Sequence, residues 1–327
     1  MVRTLILGTG SAVPSRVLTN KDLERMVNTS DEWISTRSGI KQRYIAMNGE
    51  TTSSLATEAS LQALEMAKVK PEEVEMIIVG TISPDMPMPS VAGFVQMNIG
   101  ACNAFSFDLN AACSSFVYAL AVADKFIKEK PESKMLVIGA ELLSSITDWQ
   151  DRSTCVLFGD AAGAVVVGGS READRGILST HMRSDGSLWE LLYIPGGGCV
   201  YPPSAEMVAK RDHCIRMQGN EVFRHAVRAL TEAAREALAE TELGPEQVDL
   251  LIPHQANMRI IKMVAQRLNI PLDRVYVNLD RYGNTSAASV PVALDEANRS
   301  GRLKEGDLVV LDAFGAGFTW GAVAIRW

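Results

Sequence analysis

The spacing of hydrophobic and polar residues changes within one central stretch of the chain. From 105 to 110, apolar and polar residues alternate, and this period of two predicts a β-strand with one buried face. From 116 to 127, apolar residues recur three and four positions apart, which predicts an amphipathic α-helix that ends near Lys130. Small residues separate the two patterns, and Cys113 lies among them. The stretch therefore predicts a strand that leads directly into a helix, with a thiol at the helix N-terminus.

An Ala-rich helix, a proline turn and a buried apolar strand occur in the same order twice in the chain. The first copy covers 57–79 and the second covers 231–253, so the copies lie 174 residues apart. A further apolar run at 134–139 has a counterpart at 307–312, offset by 173 residues. A nearly constant offset over three elements predicts two similar α/β halves.

The duplication also suggests boundaries for the two halves. We expect the first half to cover 1–170 and the second to cover 213–327. The segment 171–212 contains clustered glycines and prolines, and we interpret it as a connecting or inserted segment of loops and short strands.

Two polar residues of the second half follow predicted strands. His254 comes directly after the strand predicted at 249–253, and Asn284 lies in a small-residue turn after the strand predicted at 275–279. In open α/β sheets, ligands bind beyond the carboxyl ends of the strands. Because Cys113 also follows a strand, we expect these three side chains to lie at one site.

Two glycine-containing segments follow other predicted strands. The segment 313–318 is expected to be a flexible loop whose backbone N–H groups point at a ligand. The segment 8–14 begins like a dinucleotide-binding loop, but Val13 holds the third glycine position and Pro14 follows it. A nucleotide-binding function is therefore disfavoured.

Composition narrows the class of protein. The chain has 327 residues, of which 47% are hydrophobic and 22% charged, as in a globular enzyme. Its formal net charge of −7 argues against nucleic acid or an anionic membrane as the main partner. No apolar run is long enough to span a bilayer, and the N-terminus resembles a buried strand and not a signal peptide. We therefore expect no membrane insertion.

The cysteines indicate the redox environment. There are five of them, scattered and without a Cys-x-x-Cys pair. This usage suggests a reducing compartment, with the cytoplasm as the expected location, and no metal site or disulfide framework.

The sequence around Cys113 allows two interpretations. At a helix N-terminus, free N–H groups and the helix dipole favour the thiolate, which is the nucleophilic form. On that reasoning we expect the thiol pKa to lie below about 8.5, the usual value of free cysteine. A buried, unreactive small side chain is the alternative.

These motifs together resemble those of the β-ketoacyl-acyl-carrier-protein synthase III family. The resemblance covers essentially the whole chain, including 31–34 and 158–164. Its main motifs are Asn-Ala-Ala-Cys-Ser at 110–114, Pro-His-Gln-Ala-Asn at 253–257, Gly-Asn-Thr-Ser-Ala-Ala-Ser at 283–289 and Phe-Gly-Ala-Gly-Phe-Thr-Trp-Gly at 314–321. It implies a thiolase-like fold, with duplicated βαβαβαββ halves in a five-layered α-β-α-β-α arrangement, and a homodimer.

The resemblance implies an acyltransferase that begins fatty acid biosynthesis. An acyl-CoA primer, acetyl or a short or branched acyl group, acylates Cys113 and then condenses with malonyl-acyl-carrier protein, releasing CoA and CO₂. His254 and Asn284 are expected to stabilise the enolate, and the backbone N–H groups of Cys113 and Ala316 the oxyanion. The family pattern has glycine at position 316. CoA thioesters are substrates here, and no cofactor or metal is expected.

Asn284 distinguishes the chain from relatives that pair Cys and His with a second His, a Cys or a Glu. The remaining alternative is a thiolase-fold enzyme that condenses acyl thioesters in secondary metabolism. A non-condensing acyl transferase is a weaker alternative.

Substrate-binding residues are also implied by the resemblance. The residues matched to CoA contacts are Thr29, Trp33, Arg37, Arg152, Phe223, Ala256 and Asn257. Arg224 and Arg259, with Arg267, match a basic rim that receives the acidic carrier protein. Met88 occupies a position where well-known members carry Phe, and it is expected to enter the primer pocket of the partner subunit. Because Met is flexible, we expect primers bulkier than acetyl to be accepted.

Overall fold

The structure is a computed structural model that describes residues 2–171 and 175–327. Its strands are β1 (Arg3–Ala12), β2 (Arg16–Thr19), β3 (Gln42–Ile45), β4 (Val74–Gly80), β5 (Phe105–Leu109), β6 (Lys134–Leu142), β7 (Asp160–Ser170), β8 (Gly176–Ser184), β9 (Leu192–Tyr193), β10 (Arg216–Met217), β11 (Leu250–Pro253), β12 (Leu308–Gly315) and β13 (Thr319–Arg326).

The helices alternate with these strands along the chain. They are α1 (Asn20–Leu23), α2 (Asp31–Ser38), α3 (Thr52–Ala67), α4 (Val91–Ile99), α5 (Ser115–Glu129), α6 (Arg152–Cys155), α7 (Ala205–Lys210), α8 (Gly219–Ala239), α9 (Met258–Leu268), α10 (Leu279–Tyr282) and α11 (Ser289–Arg299). Two short 3₁₀ turns, Ala112–Ser114 and Ser286–Ala288, directly precede α5 and α11. The predicted strand, cysteine turn and helix are therefore confirmed.

The two main sheets have equivalent strand orders over four strands, and the described part of the second sheet has no counterpart of β5. The first runs β1-β7-β6-β4-β5, and the second runs β8-β13-β12-β11. β8 lies within the segment 171–212 and pairs with β13, so this segment contributes a strand to the second sheet. Residues 172–174 of the segment lie outside the described residues. The strand predicted at 275–279 is wrong, because only a single bridge between Val275 and Leu251 forms there.

The three largest hydrophobic cores of the described residues lie between the layers of the fold. Ala59 of α3 and Val95 of α4 belong to the core that covers the outer face of the first sheet. Phe116 of α5 and Val290 of α11 belong to the core between the two sheets. Leu230 of α8 belongs to the core on the outer face of the second sheet. The fold is thus the duplicated, five-layered α-β-α-β-α arrangement of the thiolase-like class.

The glycines of the first strand are used for packing. β1 continues through Ala12, so Gly8 and Gly10 lie in a strand and not in the loop that the sequence suggested. A Cβ at Gly10 would lie 2.2 Å from the Ala59 carbonyl oxygen of α3. These glycines allow the helix to approach the strand closely.

β5 forms the free edge of the first sheet. Its apolar side chains were expected to be buried, but Phe105 is 52% exposed, and Phe107 and Leu109 are only half-buried. The predicted buried face is therefore confirmed only in part for the single chain, because Phe107 and Leu109 pack against the central core and Phe105 does not. Neighbouring Met97 and Phe126 are also exposed, which extends an apolar surface around this edge.

Among the helices of the described residues, none combines the length and apolarity needed to cross a bilayer.

Candidate active site

Cys113 lies in a tight turn between β5 and α5. Ala112 has a positive φ of 47°, which is uncommon for a residue with a Cβ. Asn110 stabilises the turn, because its Oδ1 accepts a hydrogen bond from Ala112 N at 3.2 Å. Ser115 Oγ accepts another from Ala111 N at 2.8 Å. The turn holds Cys113 two residues before the first residue of α5.

The second half repeats this turn at Asn284. Ser286 has φ of 49°, and Asn284 Oδ1 accepts from Ser286 N at 2.9 Å. With an offset of 174, Asn284 is therefore the counterpart of Asn110, and the counterpart of Cys113 is Ala287. The two turns are therefore equivalent parts of the two halves, although Asn284 corresponds to Asn110 and not to Cys113.

The backbone of Asn284 is held by the 157–159 segment. Asn284 N donates to the Leu157 carbonyl at 2.8 Å, and Gly159 N donates to the Asn284 carbonyl at 3.0 Å. Because Oδ1 of the side chain already accepts from Ser286 N, Nδ2 is the atom left to face a ligand.

His254 follows β11 and is buried. Its backbone N donates to the Asp312 carbonyl of β12 at 2.8 Å. Its Nδ1 lies 2.6 Å from Ser289 Oγ, and that oxygen also accepts from Gln255 N at 3.4 Å. Burial lowers the pKa of His254 to about 4, so the imidazole is neutral at physiological pH.

The environment of Cys113 contradicts the expected thiolate. Burial raises the pKa of its thiol to about 12, although a hydrogen bond with Ser286 lowers it and the Glu141 charge raises it further. The helix N-terminus is present as predicted, but desolvation of the anion outweighs it. The prediction of a thiol pKa below that of free cysteine is therefore wrong for the resting protein.

Gly315 brings the end of β12 against the cysteine turn. A Cβ at this position would lie 2.6 Å from Cys113 N and 3.0 Å from Ser114 N. The following turn carries Ala316, whereas Ala313 to Gly315 belong to the strand and not to the predicted loop. Within the described residues, neither Cys113 N nor Ala316 N donates to a backbone carbonyl. Both N–H groups are thus available beside the thiol.

A single cavity of about 1030 Å³ joins these groups. Cys113, His254 and Asn284 all line it, together with Ser286 and Ala316. The structure therefore brings together the three side chains that the sequence placed beyond strand ends. The cavity is large enough for an extended ligand.

One lobe of the cavity is apolar and was not predicted. The side chains that form it are Ile82, Leu143, Leu157, Phe158, Leu192, Ile194 and Ile215. They come from five separate segments of the chain, so no local pattern in the sequence marks them as neighbours.

The other end of the cavity carries stacked aromatic and cationic groups. The guanidinium carbons of Arg37 and Arg152 lie 5.1 and 4.7 Å from the centre of the Trp33 ring. The Thr29 hydroxyl is buried without a hydrogen-bond partner among the described residues, and Thr29 does not line the cavity.

The remaining predicted binding residues fall into two groups. Those that line the cavity are Phe223, Arg224, Ala256, Asn257 and Arg259. The Arg259 guanidinium lies 5.3 Å from the Phe223 ring centre. Arg267 and Met88 do not line this cavity, and the Met88 side chain is 83% exposed.

A duplicated five-layered fold with Cys, His and Asn at the junction of its halves defines a thiolase-fold condensing enzyme. A family model for 3-oxoacyl-[acyl-carrier-protein] synthase III matches residues 107–186. A second model, for the C-terminal part of the same family, matches residues 238–327. The chain belongs to the β-ketoacyl-[acyl-carrier-protein] synthase III family.

Individual relatives agree over the full length. The chain is 54% identical to the β-ketoacyl-[acyl-carrier-protein] synthase III of Caldanaerobacter subterraneus subsp. tengcongensis, covering 98% of this chain and 97% of the relative. It is 52% identical to the β-ketoacyl-[acyl-carrier-protein] synthase III of Paramagnetospirillum magneticum, and the alignment covers 100% of this chain and 99% of the relative. The crystal structure of 3-oxoacyl-[acyl-carrier-protein] synthase III from Aquifex aeolicus VF5 is 50% identical, with a TM-score of 0.91 and coverage of 99% and 100%.

Proposed function

We propose that this chain catalyses the initiating condensation of fatty acid biosynthesis, joining an acyl-CoA primer to malonyl-acyl-carrier protein. The observation that carries the proposal is the convergence of Cys113, His254 and Asn284 in one cavity. The names of the full-length relatives favour this reaction over a condensation of secondary metabolism. Five free cysteines favour a reducing compartment, which we take to be the cytoplasm.

In the first half-reaction, Cys113 attacks the primer thioester and retains the acyl group. The negative charge that develops on the carbonyl oxygen would be stabilised by the N–H groups of Cys113 and Ala316. Close contact between Gly315 and the cysteine turn supports this role, because it brings both N–H groups to one place. The apolar lobe would hold the acyl chain.

In the second half-reaction, malonyl decarboxylation produces an enolate that attacks the acyl group. Ser289 Oγ accepts from Gln255 N, so its own hydrogen is available for His254 Nδ1, and Nε2 then carries the imidazole hydrogen. His254 Nε2–H and Asn284 Nδ2 are two neutral donors for the enolate oxygen. Loss of CO₂ supplies the carbanion, so the proposal requires no metal or cofactor.

We assign the Trp33 end of the cavity to CoA. Its adenine would stack between Trp33 and Arg152, with Arg37 near the phosphates. Because Arg152 already lies 4.7 Å from the Trp33 ring, adenine has to displace it. Phe223, Ala256 and Asn257 line the path from there to Cys113. Thr29 is proposed to contact CoA solely because it lies near the Trp33 end of the cavity.

Arg224 and Arg259 at the cavity wall are proposed to bind the acidic carrier protein, with Arg267 further along α9. Charge reversal at Arg259 should raise KM for malonyl-carrier protein and affect primer acylation less. Unchanged carrier kinetics in Arg259→Glu would assign the docking surface elsewhere. Arg224 is paired with Glu221 at 3.0 Å and is a weaker candidate than Arg259.

We propose a homodimer that forms through the exposed edge around β5. Phe105, Met97 and Phe126 offer an apolar surface there, and Met88 projects from the same half. A second copy that covers this surface would receive Met88 in its primer pocket. Phe105→Lys should shift the protein to monomers in sedimentation velocity, and a dimer that tolerates the substitution would contradict this interface.

The overall function is tested with purified protein, malonyl-acyl-carrier protein and a panel of acyl-CoA primers, with products identified by mass. Cys113→Ala should abolish condensation. His254→Ala and Asn284→Ala should reduce malonyl decarboxylation by roughly 10²–10³-fold, while primer acylation survives better. Condensation by Cys113→Ala would refute the assignment. Competition between butyryl-CoA and acetyl-CoA tests the primer preference, with Met88→Phe as the control.

A further inference from the structure

Glu141 is a fully buried carboxylate that the proposed reaction does not use. It lies on β6, which has a paired strand on each side in the first sheet. Its Oε2 accepts hydrogen bonds from Thr81 Oγ1, Ile82 N and Ser83 N, each at 3.1 Å, and from Ser83 Oγ at 2.5 Å. Burying a carboxylate is costly unless donors satisfy it. These four donors, together with the central strand, hold Glu141 in a fixed place.

The other oxygen of Glu141 faces the second half of the chain. Glu141 Oε1 accepts from Ser286 Oγ at 3.0 Å. Ser286 is itself buried, and it begins the short 3₁₀ turn that follows Asn284. Its backbone N donates to Asn284 Oδ1 at 2.9 Å. Two hydrogen bonds therefore connect an anchored carboxylate, through Ser286, to the side-chain amide of Asn284.

The duplication provides an internal comparison for this arrangement. With the offset of 174, the counterpart of Ser286 is Ala112. Ala112 has nearly the same φ, 47° against 49°, and its N donates to Asn110 Oδ1 at 3.2 Å. The turn thus forms in the first half without a hydroxyl at this position. The bond from Ser286 to Glu141 is therefore not needed to form the turn, and this points to a role in what the second turn does.

That role concerns the end of the Asn284 amide that faces the cavity. The backbone of Asn284 is fixed by the 157–159 segment, so only its side chain remains to be oriented. The torsion that rotates an asparagine amide has broad preferences, and the amide oxygen accepts whereas the nitrogen donates. While Ser286 N holds Oδ1, Nδ2 is the end that faces a ligand. A rotated amide would present its oxygen to the enolate and repel it.

We propose that Glu141 and Ser286 are positioning residues that hold the Asn284 amide with Nδ2 towards the enolate oxygen. The inference rests on the proposed function, in which Asn284 stabilises that enolate. Glu141 fixes the hydroxyl of Ser286, and the N–H of Ser286 fixes Asn284 Oδ1. Both residues act through Asn284.

The first test is Ser286→Ala, which introduces the residue found at the equivalent position of the first half. The enzyme is acylated beforehand, and CO₂ release from malonyl-carrier protein is then measured. The kcat of this step should fall about tenfold, as expected for the loss of one hydrogen bond, and KM should not change. The amide acts on charge that develops in the transition state, so its misplacement lowers kcat without weakening substrate binding. The acylated fraction, measured by mass, reports how much of each variant is folded and active.

A double-mutant cycle with Asn284 separates positioning from direct contact with the substrate. Asn284→Ala alone should slow decarboxylation roughly 10²–10³-fold. If Ser286 acts through Asn284, adding Ser286→Ala to this variant should cause no further loss. A Ser286 hydroxyl that contacts the substrate itself, or a general loss of structure, would instead produce a further loss of about tenfold in the double variant.

Glu141 is tested by a disruptive and a conservative variant. Glu141→Ala removes the anchor and should match Ser286→Ala, with no further loss when the two are combined. Glu141→Gln should restore most of the wild-type rate, because its oxygen can accept from the 81–83 segment while its nitrogen donates to Ser286 Oγ. Thr81→Val is the matched control: it removes one Oε2 donor, leaves the bond to Ser286 and should keep the wild-type rate.

Melting temperatures establish which variants are folded. If Glu141→Ala does not fold, the cycle between Ser286 and Asn284 still decides the question. A wild-type rate of decarboxylation in Ser286→Ala, or losses that add to those of Asn284→Ala, would overturn the positioning role and leave the proposed function intact. A wild type that is acylated but releases no CO₂ from malonyl-carrier protein would overturn both.

Discussion

Gly315→Ala is expected to impair catalysis through a small displacement of the nucleophile turn. The new Cβ would lie 2.6 Å from Cys113 N, whereas ordinary contacts begin at 3.4 Å, so the backbone must move by about 0.8 Å. The three nearest atoms, Cys113 N, the Ala111 carbonyl oxygen and Ser114 N, all belong to the backbone, so no flexible side chain can absorb this movement. A misplacement of about 1 Å at a reacting group can reduce a rate roughly 100-fold, or about 2.7 kcal/mol of transition-state stabilisation.

The assay measures kcat/KM for condensation and, separately, formation of acyl-Cys113 by mass. Overpacking is also expected to destabilise the fold by about 1–3 kcal/mol, which thermal unfolding reports. Gly186→Ala is the control, because a Cβ there meets nothing within 4 Å. If Gly315→Ala kept a kcat/KM within about threefold of the wild type, the close contact between β12 and the cysteine turn would have no catalytic importance.

Three further predictions concern the same site. At pH 7.5, iodoacetamide should label the exposed Cys102 and Cys199 before Cys113, because burial raises the pKa of Cys113 to about 12. Peptide mass spectrometry measures the order of labelling, and faster labelling of Cys113 would refute the prediction. The free energy of unfolding should fall as pH drops from 6.5 towards 4, because the unfolded chain binds a proton that folded His254, with a pKa of about 4, does not. Denaturant titrations of the wild type and His254→Asn test this, and equal pH slopes would contradict it. Ser289→Ala removes the Nδ1 partner of His254 and should slow malonyl decarboxylation about tenfold, with little effect on acylation of Cys113. Equal losses in both steps would exclude a role for Ser289 in orienting His254.

Local patterns in the sequence were sufficient for the framework of the fold. The change of period at Cys113 predicted β5, the turn and α5, because strand and helix spacing are properties of consecutive residues. The offset of 174 residues predicted two equivalent halves, which the matching order of four strands in the two sheets confirms. His254 could be placed beyond a strand end for the same reason, and it lines one cavity with Cys113. Asn284 lines the same cavity, although the strand predicted before it does not form.

The apolar lobe and the edge of the sheet required the tertiary structure. Phe158 and Ile215 lie 57 residues apart in the sequence (158 to 215) and meet only through packing of separate segments. The alternation in β5 is that of any half-buried strand, and it could not reveal that the strand lies at an edge with Phe105 exposed. The strand predicted at 275–279 was wrong for a related reason: its apolar spacing could not reveal that only a single bridge, between Val275 and Leu251, forms there.

The ionisation of the site depended most on the tertiary structure. From the sequence, a helix N-terminus lowers the pKa of a cysteine, but the depth of burial is decided by distant segments and raises the pKa of Cys113 to about 12. Glu141 and Ser286, 145 residues apart, form a hydrogen bond that no periodic pattern predicts. Secondary structure follows from short-range spacing, whereas charge states follow from the surrounding dielectric and from partners that only the complete fold assembles.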